Sequence, residues 1–193
     1  MSGYVRRRSA IAALALIALV AGGLSSRSPA QGAKSQGKSK RTAHVTLVNA
    51  TGGSVGAVRF QRRAKSRALR VTVRISKLSA GFHGLHVHTV GTCEGPDFMT
   101  AGPHLNPAGA AHPKHAGDMP GLLVTSGGTA EARFTTDRFS LTDLRDADGS
   151  AVMVHALPDN HANIPQERYD PDPDAITLAT GDSGARIACG LVR

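Results

Sequence analysis

The chain has no tryptophan, only two tyrosines and only five phenylalanines in 193 residues. Single-stranded nucleic acid is bound on platforms of such rings, so their scarcity argues against that class of ligand. Cysteine is almost as rare: Cys93 and Cys189 are the whole supply, which excludes cysteine-rich metal clusters and leaves one disulfide or two thiols as the choices. Long hydrophobic runs are missing too. The longest, Ala10 to Ala21, has twelve residues, well short of the roughly 20 that span a bilayer.

That short run reads as an address. Arg6, Arg7 and Arg8 precede it, Gly22 and Gly23 end it, and "RSPAQG" then places Ser28 and Ala30 before a cut near Gln31. Residues 1–30 are therefore expected to be an export signal, with an uncleaved anchor as the alternative. Arg7 and Arg8 also allow a twin-arginine route. No cysteine follows the run, which argues against lipid attachment there. The expected localisation is periplasmic, cell-envelope or extracellular, with no stable membrane insertion after cleavage.

Net charge is small in the domain itself. The formal +9 comes mostly from the first 41 residues, including Lys34, Lys38, Lys40 and Arg41; from residue 42 onward there are 15 Lys and Arg against 14 Asp and Glu. Residues 31–42 read as a flexible basic linker, rich in Ser, Gly and Lys. Eight cations between Arg59 and Lys77 alternate partly with apolar residues, the pattern of a solvated strand face. No nucleic-acid partner is expected.

What is present is alternation. "ALRVTVRI" puts Leu69, Val71, Val73 and Ile75 on one face and Arg70, Thr72 and Arg74 on the other. "HVTLVN", "GAVRF", "GLLVTS", "AEARFTT", "AVMVHAL" and "RIACGLV" are further short runs bounded by turn residues. They predict an all-β domain over residues 43–193, of about eight strands, a sandwich or closed barrel. Only "SLTDLRD", with Ser140 and Asp143 at capping-box spacing, suggests a helical turn.

About thirty residues without periodicity separate "GLHVHTV" from "GLLVTS", more than an ordinary connection needs. A metal and a disulfide are the devices available to pin them. On a strand, His86 and His88 leave one face while Leu85 and Val87 enter the core. Taken alone the pair reads rather as two surface histidines on a polar face, although it would also make a ready pair of metal ligands. His155 in "VMVHAL" alone reads as a hydrogen-bonded core residue. Five of the nine histidines lie between positions 86 and 115, an enrichment that surface chance explains poorly. A Cys93–Cys189 bridge would close a loop of about 100 residues, for which chain entropy gives roughly 4.7 kcal/mol.

"GFHGLHVHTVG", "AGPHLNP", "HAGDMPGLLV", "VHALPDN" and "TGDSGARIACG" together resemble, in order, the copper/zinc superoxide dismutase family across residues 43–193. The resemblance implies an eight-stranded Greek-key sandwich or barrel with long metal-binding and disulfide-tied loops. It makes His86, His88, His104 and His155 copper ligands, and His104, His112, His115 and Asp118 zinc ligands, with His104 bridging. It pairs Cys93 with Cys189 and makes Arg186 the guide for the anionic substrate. Asp159 becomes the carboxylate that hydrogen-bonds His86 and His112, and His83 a structural histidine. His44 and His161 match nothing and read as surface residues. The zinc segment is short, since His112 and His115 are only three apart.

The implied activity is disproportionation of superoxide to oxygen and hydrogen peroxide at a redox-cycling copper, with a structural zinc. The ligand types suit this: neutral imidazoles serve copper in both redox states, and three nitrogens with one carboxylate close a four-coordinate zinc site. A non-catalytic copper- and zinc-binding member of the same fold is the alternative. The expected assembly is a monomer or homodimer.

Overall fold

The computed structural model describes residues 39–169 and 172–193. The expected export signal, and all but the end of the linker, lie outside the described residues.

Nine strand segments form among the described residues: β1 (Thr42–Asn49), β2 (Ser54–Arg62), β3 (Leu69–Ile75), β4 (Gly81–His83), β5 (Leu85–His88), β6 (Leu122–Val124), β7 (Ala130–Thr136), β8 (Ala151–His155) and β9 (Arg186–Leu191). Seven of them make one antiparallel sheet in the order β5-β8-β9-β1-β2-β3-β7. β4 and β6 form a separate pair. β4 runs into β5 through Gly84 alone, and β6 lies against β7, so this small ribbon spans the two edges of the sheet. The result is the curled antiparallel sheet expected of a sandwich or barrel.

Alternation decides which face goes inside. Leu69, Val71, Val73 and Ile75 are buried while Arg70 and Arg74 are exposed. Leu85 and Val87 join the main core with Val152 and Val154 from the neighbouring β8. β5 and β8 are buried at every position, because their other face is covered as well. Over β8 and β9 that cover is a second, smaller core of Phe98, Ala101, Ala151, Met153 and Cys189.

Helical structure differs from expectation. "SLTDLRD" makes only a 3-10 turn, Asp143–Arg145. Its predicted reciprocal bonds are present: Ser140 N–H donates to Asp143 Oδ2 at 2.7 Å and Asp143 N–H to Ser140 Oγ at 3.3 Å. The one α-helix among the described residues is α1 (Ala175–Thr180). Asp174 caps it by accepting from Thr177 N–H at 2.7 Å, and Gly181 ends it in the left-handed region. No helix among the described residues is long and apolar enough to cross a membrane.

Candidate metal centre

The long segment 91–120 is laid along the free edge of β5. Leu105 N–H donates to Val87 O at 2.8 Å, and Val87 N–H to Gly117 O at 2.9 Å. His88 pairs with His104, and His86 with Asp118, as isolated bridges. Gly117 is required for this approach, since a Cβ there would collide with the Val87 carbonyl. Two parts of the loop that are distant in sequence thereby reach the outward histidines of β5.

Two groups of side chains result. In the first, one ligand atom each from His86, His88, His104 and His155 lie within 4.8 Å of one another; in the second the same holds for His104, His112, His115 and Asp118. All seven residues are buried. His104 belongs to both.

Hydrogen bonds fix which nitrogen of each ring is free. His86 Nε2 donates to Asp159 Oδ2 at 2.6 Å, His88 Nδ1 to Gly102 O at 2.7 Å, and His155 Nδ1 to Gly184 O at 3.1 Å. Each partner can only accept, so the proton sits on the bonded nitrogen. The other three nitrogens, His86 Nδ1, His88 Nε2 and His155 Nε2, are buried without a hydrogen-bond partner. Orphaned buried acceptors are costly. Converging on one point, they fit a metal that prefers imidazole.

The second group surrounds Asp118. His104 Nδ1 is 2.9 Å from its Oδ1, His112 Nδ1 3.2 Å from Oδ2, and His115 Nδ1 3.4 Å from Oδ1. His104 Nδ1 and His115 Nδ1 are 3.3 Å apart. A tetrahedron with zinc–ligand distances of about 2.0–2.1 Å has edges of about 3.3 Å. The donor set therefore fits zinc in type, number and spacing, despite the short spacing between His112 and His115. Arg138 steadies that segment by donating to the carbonyls of Pro113 and His115, at 2.7 and 3.3 Å.

Asp159 joins the two groups. Its Oδ2 holds His86 and its Oδ1 accepts from His112 Nε2 at 2.9 Å and from His161 N–H at 2.6 Å. A Cβ at Gly181, just past α1, would stand within 2.7 Å of His112 Nε2 and against the Asp159 carboxylate. The helix thus delivers a glycine where no side chain fits. His161 is otherwise exposed, as is His44. His83 is buried between the carbonyls of His155 and Ser79, at 2.7 and 3.0 Å. Cys93 and Cys189 are joined, with Cα atoms 5.7 Å apart, and such a bridge persists in an oxidising, exported compartment. Arg186 donates to Phe98 O at 2.7 Å and to Gly102 O at 2.8 Å.

Burial holds His86, His88 and His155 neutral. Desolvation lowers His86 and takes His88 well below the usual imidazole range, and with the neighbouring His86 it brings His155 down to about 3. The neutral ring is the form that binds metal. His115 is lowered by desolvation as well. His112 differs: desolvation opposes its charge, but bonds to Asp118 and Asp159 outweigh that and raise it to about 9. Both carboxylates lie far below their usual range, desolvation being overcome by their bonds to His104 and His112 for Asp118 and to His112 and His86 for Asp159.

A pH dependence follows. Below about pH 9, zinc entering the metal-free chain must displace the His112 proton, so zinc affinity is expected to rise with pH, by up to about tenfold per unit, and to level off above pH 9. Copper added alone meets neutral rings at His86, His88 and His155, so its affinity should change little between pH 7 and 9. Calorimetry in buffers of different ionisation enthalpy counts the protons released. Equal release by the two metals would refute the assignment of His112.

Residues 54–192 match the copper/zinc superoxide dismutase family. The chain belongs to this family. It is 38% identical over 163 residues to proteins named "Superoxide dismutase [Cu-Zn]" from Mycobacterium bovis and Mycobacterium tuberculosis, covering 76% of this chain and 68% of each relative. Among solved structures, a SOD-like protein from Bacillus subtilis is similar at 31% identity and a TM-score of 0.62, over 77% of this chain and 96% of that one. Family membership implies copper and zinc, and the two side-chain groups provide a place for each.

Sequence reasoning had no signal for several contributors. The carbonyls of Gly102 and Gly184, which set two histidine tautomers, carry no residue code. Arg138 lies outside the histidine- and cysteine-bearing segments, and Gly181, within "TGDSGARIACG", has no side chain to mark it. Only the bonded geometry identifies them.

Proposed function

We propose that this chain disproportionates superoxide: two superoxide anions and two protons give one oxygen and one hydrogen peroxide, one anion losing the electron that the other gains. The observation that carries the reading is the convergence of three unpartnered buried ring nitrogens on His104, a residue also shared by the second group. His86, His88, His104 and His155 would hold copper, which would supply the one-electron chemistry, and His104, His112, His115 and Asp118 would hold zinc.

The protein's own contribution is orientation, charge and a proton. Asp159 and the carbonyls of Gly102 and Gly184 lock the three rings so that no reorganisation is needed. His104 Nδ1 is engaged by Asp118, which leaves Nε2 to take up and return a proton on the first group's side. The Arg186 guanidinium, lowered by desolvation yet always charged, is the positive group that draws in the anion.

Metal content and superoxide consumption measured on one purified sample test this reading. Protein carrying one copper and one zinc that consumes superoxide no faster than buffer would leave a non-catalytic binding module. Charge reversal in Arg186→Glu is expected to lower the second-order rate by about tenfold or more with copper retained. Added salt should slow the native protein more than Arg186→Ala. Equal salt dependence would remove the steering role.

Export completes the proposal. Residues 1–30 act as the signal and residues 31–42 as a linker to the domain at 43–193. Intact-mass measurement should find a mature chain starting near Gln31, and an uncut N-terminus would count against it.

A further inference from the structure

No Asp or Glu occurs before Glu94, and all fourteen lie from that residue onward. The fold turns this asymmetry into a surface. Cross-strand register aligns His44, Arg59, Thr72 and Arg133 in one row across β1, β2, β3 and β7, with Arg70 in a second row and Arg74 in a third. All four arginines are exposed on the outer face. The β2–β3 hairpin extends this face with Arg62, Arg63, Lys65 and Arg67, and Arg62 N–H bonded to Arg41 O at 2.9 Å brings in the end of the basic linker.

Counter-charge is nearly absent. Among the described residues, the only carboxylate within 4 Å of these cations is Glu131, which pairs with Arg74 at 3.2 Å. A face that serves only solubility intersperses both signs. This one is predominantly positive, with Glu131 the exception, and mostly arginine, whose planar fork matches phosphate in two parallel hydrogen bonds.

We propose that the outer face of β2, β3 and β7, with the β2–β3 hairpin, docks a linear phosphate-bearing polymer of the cell envelope. Shape favours a polymer over a lipid surface. The hairpin encloses a groove of about 510 Å³ walled by Arg41, Arg62, Arg63, Lys65 and Arg67, a concavity that a phosphate on a chain enters and a flat bilayer does not. A second hollow shares Arg62 and Arg67 and adds Lys40 and Arg138; its two carboxylates, Asp137 and Asp143, are more than 4 Å from any of these cations. None of the exposed large apolar residues lies on β2, β3, β7 or the hairpin, so nothing there inserts into acyl chains. The metal ligands come from β5, β8 and the loops, not from β2, β3 or the hairpin that lines the main groove.

Binding of long-chain inorganic polyphosphate to the purified, metal-loaded chain tests the proposal, with anionic phospholipid vesicles and duplex DNA as parallel arms at equal phosphate concentration. About five neutralised phosphates on a flexible strand predict roughly a hundredfold loss of affinity between 50 and 200 mM salt. Arg62→Glu with Arg67→Glu should weaken binding by roughly tenfold or more. Arg168→Glu, an exposed cation of the acidic half, should not. Both variants should keep the native melting temperature and superoxide consumption. Equal affinity in the native chain and the double variant would overturn the surface. Tighter binding to vesicles or to duplex DNA than to polyphosphate would overturn the choice of partner.

Discussion

His155→Ala is expected to abolish superoxide consumption while leaving zinc content and fold nearly intact. The residue ends β8, a strand buried between β5 and β9. Its main chain stays anchored in the variant, because the peptide N–H still donates to Gly84 O and the carbonyl still meets His83. The second group does not include it. What is lost is one of the three free ring nitrogens, and the loss should exceed the roughly 10- to 100-fold typical of removing an outer hydrogen-bond partner. Metal content, thermal unfolding and superoxide consumption on the same sample decide the matter. Retained turnover would move the reaction away from this group.

Asp118→Ala is expected to act in the opposite sense, losing zinc and stability while copper and some activity survive. The carboxylate faces three ring nitrogens and also accepts from His115 N–H at 3.1 Å. Because metal binding free energy is also folding free energy, the melting temperature should fall by about 10 °C or more. Loosening should be local. Hydrogen exchange is expected to rise across residues 106–120 but little across 93–105, where Phe98, Ala101, the disulfide and Arg186 provide independent anchors. Native protein stripped of zinc that melts and exchanges like the loaded form would show that zinc does not pin the segment.

That division of the loop was not legible in advance. The apolar alternation of "ALRVTVRI" specified β3 because one face of that strand meets water and the other does not. β4 has three residues and shows no period at all. α1 has six, too few for a helical repeat, although Asp174 and Gly181 stand at capping positions. Phe98 and Ala101 lie in a stretch with no pattern, and their burial depends on Met153 and Cys189, brought from distant strands. Ligand types at the centre were readable because the histidines cluster in sequence. Their tautomers were not, because backbone carbonyls positioned by the fold set them.

The carbonyl of Gly102 accepts from both His88 Nδ1 and Arg186 Nη2. Both lone pairs of one oxygen are thereby committed, one to a ring of the first group and one to the Arg186 guanidinium. Through these two bonds, a shift of the loop backbone is expected to draw both side-chain tips in the same direction. Such motion is common-mode: it changes where the pair stands and preserves the distance between its members. The spacing between the Arg186 guanidinium, the proposed guide for the anion, and the His88 ring would thus be insulated from fluctuations of the segment that carries neither residue.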